Sequence, residues 1–156
     1  MPHLKIVNEQ YAKFQDTEIL IHKYVIRHAR MYGYGGLGVD PDHAAEQMEL
    51  YRQYYGKTTQ YALFHWILSF SKTESQKYDT AYLMGLGYRI CEYFCREYQI
   101  LFGIHWHKES WDMHFVMNIV NYRTGKKYPQ NYQSQNTLVR ICETELGGGR
   151  VELDIY

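Results

Sequence analysis

Three of the eight histidines and one aspartate fall within ten residues of the chain, as His105, His107, Asp112 and His114. Side chains two apart on a β-strand share a face, so His105 pairs with His107, and Asp112 pairs with His114. Imidazole and carboxylate donors together form a mixed nitrogen and oxygen site that suits Mn²⁺, Zn²⁺ or Mg²⁺. The spacing therefore favours a divalent-metal site, and the alternative is a hairpin that carries ordinary surface histidines.

Two strands joined by a short turn must hold these residues, and the sequence around them has that pattern. Residues 100–107 and 113–121 read as two strands rich in apolar and aromatic residues, and 108–112 has the length of a hairpin loop. Other apolar patterns predict strands at 3–7, 61–70 and 151–156, and helices from Asp16 or Thr17 to about 30, at 41–55, 80–98 and 134–146. The segment 31–39 is rich in Gly and Tyr. These elements predict an α+β fold with a mainly antiparallel, about five-stranded sheet and helices packed on it.

Length and composition set the limits of the function. The 156 residues predict a single domain, 1–156, and 17 basic residues balance 17 acidic ones. Any contact with DNA must then come from a local patch of positive charge. We expect a cytoplasmic protein without a membrane segment, because no long apolar run occurs and three cysteines do not suggest a disulfide framework.

The segment GIHWHKESWDMHFVMNIVNYRTGKKY resembles the metal-binding motif of HUH relaxases, the mobilisation nucleases of plasmids and conjugative elements. In that family a His is followed seven and nine residues later by two more, then by an apolar run, an Asn and a Thr-Gly-Lys turn. The matching positions here are His105, Asp112, His114, Asn118 and 124–126. Two residues depart from the pattern. Asp112 replaces the middle histidine, and His107 stands where the family usually has Asp.

Other parts of the chain extend the resemblance to nearly its whole length. The stretch 32–59 resembles the family's glycine-containing strand, its Asp-Pro helix start and a following Gly-Lys-Thr. Residues 65–70 resemble the strand ending in Ser-Phe before the family's long helix, and 138–153 resemble its Cys-containing helix and final strand. The resemblance therefore implies an HUH-endonuclease-like fold.

The resemblance also implies a reaction: a tyrosine attacks single-stranded DNA at an origin of transfer and leaves a covalent 5′-phosphotyrosine, with a metal stabilising the phosphate charge. The family's nucleophile corresponds to Tyr24, and Tyr132 is the alternative, as in small HUH transposases. The resemblance implies His105, Asp112 and His114 as metal ligands, with His107 as a substitute imidazole, and accessory mobilisation proteins as further partners. The residues assigned to DNA binding are Arg27, His28, Arg30, Asn118 and Lys126, although the first three also fit a solvated helix face.

Three functions remain open at this point. The first is a metal-dependent relaxase, and the second is a relaxase-like module that binds DNA or a partner without nicking, which the exchange at Asp112 and the neutral charge favour. The third is a dimeric transposase. Two glycine motifs are rejected as phosphate-binding loops: Gly33, Gly35 and Gly38 lie too far from a helix start, and 56–58 lack the required first glycine.

Overall fold

One six-stranded sheet forms the framework, with strand order β2-β4-β5-β3-β1-β6. The computed structural model describes residues 1–7, 17–27, 29–57 and 61–155. All neighbouring strands pair antiparallel except β1 and β6, which are parallel. The strands are β1 (His3–Val7), β2 (Met31–Leu37), β3 (Leu63–Ser69), β4 (Ile100–His107), β5 (Ser110–Asn118) and β6 (Glu152–Ile155). The helices are a π-helix (Ile19–Val25), a 3-10 turn (Pro41–His43), α1 (Ala44–Tyr54), α2 (Lys72–Ser75), α3 (Thr80–Glu92) and α4 (Tyr132–Glu145).

The predicted α+β class is confirmed, with one more strand than the count of about five. The additional strand is β2, whose sequence MYGYGGL has three glycines and little apolar alternation. Residues of this kind lower the strand signal of a sequence pattern, although the resemblance did indicate a strand here. Pairing with β4 stabilises β2 in spite of its composition.

Polar residues at the helix starts explain where several helices begin. Ser71 and Glu74 form a reciprocal capping box at α2, and Asn131 and Ser134 form another at α4. The Asp79 carboxylate accepts from the Tyr82 amide and caps α3, which begins at Thr80, the predicted first residue. This helix ends at Glu92, six residues before its predicted end.

The helix predicted from Asp16 or Thr17 to about residue 30 is shorter and of a different type. Asp16 lies outside the described residues. The segment Ile19–Val25 is a π-helix, and the amide of Ile26 donates to the carbonyl of Ile21 at 3.0 Å, five residues back. Single-turn π-helical segments are rare and often occur at functional sites.

Two apolar clusters lie on opposite faces of the sheet. The larger cluster joins α3 and α4 to one face, where Trp66, Phe102 and Phe115 are fully buried. The smaller cluster joins the π-helix and α1 to the other face through Leu101 and Val116. Because residues alternate between faces, His105 and His114 lie on the same face as the smaller cluster.

No helix within the described ranges has the length and apolarity that a bilayer crossing requires.

Candidate active site

The β4-β5 pairing brings the predicted residues to one cleft. His105 lies directly opposite Asp112, and His114 lies opposite Gly103, two residues further along the same face. A cleft of about 150 Å³ is lined by all four predicted metal residues together with the predicted nucleophile and one predicted DNA contact, namely Tyr24, Arg30, His105, His107, Asp112 and His114.

The ring of His105 is held by the π-helix. Its side chain is buried, and Nε2 lies 2.7 Å from the carbonyl oxygen of Val25. A carbonyl oxygen accepts only, so Nε2 carries the proton and donates. In a neutral ring the lone pair is then on Nδ1, which is the nitrogen that could bind a metal.

His114 is the second buried imidazole of the cleft. Its ring centroid lies 4.3 Å from that of His105. Its Nδ1 lies 3.1 Å from Nε2 of His65, a residue of β3 that is 1% exposed. In the sequence, His65 is visible only as part of an apolar strand. Strand alternation puts His65 on the same face of β3 as Ile67 and Ser69, and these two residues pair with His114 and Asp112. That shared face is the signal that links His65 to the motif.

Tyr24 extends from the π-helix over the two histidines. Its ring contacts those of His105 and His114 edge to face, with centroid distances of 5.7 Å and 5.2 Å. The side chain is 38% exposed, so solvent and substrate can reach it. The alternative nucleophile, Tyr132, is 77% exposed at the start of α4, a helix of the opposite face, and does not line the cleft.

A close approach between the π-helix and the sheet produces this arrangement. A Cβ atom at Gly103 would lie 2.3 Å from the carbonyl oxygen of Val25. Only glycine leaves room for that carbonyl. The residue next to Tyr24 therefore rests on the strand that carries His105.

The residues proposed for DNA contact lie in three different settings. Arg30 lines the cleft, and its guanidinium donates to Nδ1 of the exposed His107. Arg27 is exposed and does not line the cleft. His28 lies outside the described residues. Lys126 is exposed in the turn after β5 and does not line the cleft either.

The assignment of Asn118 to DNA binding is corrected by the structure. Its side chain is 0% exposed and sits six residues after Asp112 on β5, roughly 20 Å along the strand. It accepts from Arg52 at 2.9 Å and donates to the carbonyl of Met48 and to Gln99. Burial lowers the pKa of Arg52 to about 10, because desolvation disfavours the charged guanidinium. Asn118 therefore joins α1 to the sheet.

By donor type, the cleft fits a divalent cation: two buried imidazoles and the carboxylate of the half-buried Asp112. In the ranges that the structure describes, however, no three His, Cys, Asp or Glu side chains are arranged to hold an ion. Because Nδ1 of His107 accepts from Arg30, the proton of a neutral His107 ring is on Nε2, and this makes Asp112 the better third ligand.

Comparisons with known proteins agree with the fold. Curated proteins gave no match. A chain of the solved structure described as "Molecular Basis of Vancomycin Resistance Transfer in Staphylococcus aureus" has the same fold, with a TM-score of 0.56 and 12% identity over 100% of this chain and 98% of that one. The family model described as "Relaxase: MobA/VirD2-like, nuclease domain" matches residues 23–145, which include every residue that lines the cleft. The chain thus belongs to the MobA/VirD2-like relaxase nuclease domains, a family that nicks DNA in mobilisation.

Proposed function

We propose that this domain nicks single-stranded DNA at an origin of transfer, with Tyr24 as the nucleophile. The observation that supports this proposal is the cleft itself, where Tyr24 lies edge to face on both buried histidines. In the step we propose, the Tyr24 hydroxyl oxygen bonds to the scissile phosphorus and the bond from phosphorus to the 3′ oxygen breaks. The tyrosine loses its proton, and the 3′ oxygen takes one up.

Each remaining residue of the cleft has a role in this proposal. His105, Asp112 and His114 would hold a divalent cation, Mn²⁺, Mg²⁺ or Zn²⁺, which when bound would stabilise the charge that develops on the phosphate. Arg30 supplies a fixed positive charge at the same cleft and binds an oxygen of the phosphate next to the scissile phosphate. The buried histidines are desolvated on the sheet side, so the polar groups act in a partly dry environment.

The test is the formation of a covalent protein-DNA adduct. Labelled single-stranded oligonucleotides tiled over the DNA that flanks the gene are incubated with the protein and Mn²⁺, then separated under denaturing conditions. We expect an adduct in which the protein is joined to the new 5′ phosphate of the downstream DNA fragment. This adduct should be lost in Tyr24→Phe and persist in Tyr132→Phe. An adduct lost only in Tyr132→Phe would favour the transposase arrangement.

A second function is supported by the aspartate at the position of the family's middle histidine. Together with the lack of a closed ligand group among the described residues, this exchange favours a domain that binds DNA or a partner without nicking it. Binding of single strands with no adduct at any tyrosine would support this alternative. The cytoplasmic location remains a prediction from composition, and the accessory mobilisation proteins remain a prediction from the resemblance.

A further inference from the structure

We infer that His65 is a positioning residue, which sets the tautomer of His114 so that its Nε2 is the nitrogen offered to a divalent metal. The inference rests on the proposed function for the identity of the site. It extends that function to a residue of β3, outside the histidine motif of the β4-β5 hairpin.

The geometry joins two buried rings in one contact. Nε2 of His65 lies 3.1 Å from Nδ1 of His114, and the ring planes differ by 27°. The side chains are 1% and 3% exposed, so water does not readily replace either partner. A buried imidazole nitrogen without a hydrogen bond costs free energy, so we read this contact as a hydrogen bond between the two rings.

The contact permits only one proton between the two nitrogens, because two facing N–H groups would repel. If His114 Nδ1 carries the proton, it donates to His65, and the lone pair of His114 is on Nε2. If His65 Nε2 carries it, the His114 proton is on Nε2, and this nitrogen cannot bind a metal. A metal-competent His114 therefore requires His65 to accept.

A parallel with His105 supports the accepting role. There the carbonyl of Val25 accepts from Nε2 of His105, and Nδ1 is the nitrogen that we propose for the metal. His65 serves His114 in the same way from the neighbouring strand. Partners of this kind orient metal-binding histidines, and their loss typically weakens metal affinity about 10-fold to 100-fold.

Variants of His65 separate positioning from packing. His65→Gln retains an acceptor near the position of Nε2, His65→Asn withdraws it by one bond, and His65→Phe retains a ring without nitrogen. The matched control is His22→Phe, at another buried histidine, whose Nε2 accepts from the amide of Ala45 rather than from a residue of the cleft.

Two measurements decide the inference. In the metal-free protein, nitrogen NMR of the imidazoles should show the His114 proton on Nδ1 in the wild type and in His65→Gln. In Mn²⁺ titration calorimetry, His65→Phe and His65→Asn should bind about 10-fold to 100-fold more weakly, whereas His65→Gln and the control stay within about 3-fold of the wild type. If His65→Phe does not fold, His65→Asn and the wild-type spectrum carry the test.

A proton on Nε2 of His114 in the wild type would overturn the inference, as would unchanged Mn²⁺ affinity in His65→Asn. Absence of Mn²⁺ binding by the wild type would contradict both the inference and the metal ligands proposed above. A normal His65 effect on Mn²⁺ affinity without a DNA adduct would support the inference and contradict the nicking function alone.

Discussion

Replacing Gly103 with alanine tests whether the π-helix must rest on β4 for Tyr24 to act. The new Cβ would lie 2.3 Å from the carbonyl oxygen of Val25, and real Cβ contacts essentially never fall below 3.0 Å. The π-helix must then move outward by at least 0.7 Å, the difference between these two distances. The same carbonyl accepts from His105 at 2.7 Å, so the shift stretches that hydrogen bond.

The expected effect on the reaction is large because the nucleophile is on the displaced segment. A misplacement of about 1 Å can slow a reaction about 100-fold. We therefore expect Gly103→Ala to form the DNA adduct about 100-fold more slowly, and to lose about 1–3 kcal/mol of unfolding free energy through overpacking. Binding of single-stranded DNA should change little, since no charge is altered.

Single-turnover adduct formation, DNA binding by fluorescence anisotropy and chemical unfolding measure these three quantities. The matched control is Gly149→Ala, the same substitution at a glycine that has no other described atom within 4 Å of its added Cβ. A Gly103→Ala protein with normal adduct rate and normal stability would refute the role of this close approach.

Three further predictions concern groups outside the cleft. Asn118→Ala should lower the unfolding free energy by about 1–3 kcal/mol, because Arg52 loses an acceptor, while single-stranded DNA binding by the folded protein stays unchanged. Burial lowers the pKa of His22 below 6.5, so near this pH the folded protein binds fewer protons than the unfolded chain. The free energy of unfolding should therefore fall as the pH decreases from 6.5. Chemical unfolding should show a smaller fall in His22→Gln. Burial raises the pKa of the Cys142 thiol to about 12 and that of Cys91 further, so a thiol reagent should modify only Cys95 in the native state and three cysteines after unfolding.

The cleft was largely accessible to sequence reasoning because strand periodicity is local. The spacing of His105, Asp112 and His114 predicts a shared face once a hairpin joins their strands, and the hairpin is present. The placement of Tyr24 came from the family resemblance rather than from any pattern of its own.

Features that depend on contacts between distant segments were not predictable in this way. His65 reaches His114 only through the β3-β5 pairing, and Gly103 matters only because Val25 lies on it. Asn118 was assigned to DNA binding from its position in the motif, but that position carries no information about burial, and the side chain is buried. Sequence patterns predicted which residue types meet, but the partners of each nitrogen and carbonyl required the tertiary structure.

The π-helical hydrogen bond from Ile26 to Ile21 has a consequence for insertions and deletions in this region. Deleting the exposed Lys23 would allow ordinary α-helical bonding with no loss of apolar residues. An i→i+4 turn holds one residue fewer than an i→i+5 turn, so the deletion would leave Tyr24 facing His114 from nearly the same side of the helix. One residue more or less in this turn thus changes the hydrogen-bond type of the helix rather than the face from which Tyr24 reaches the cleft.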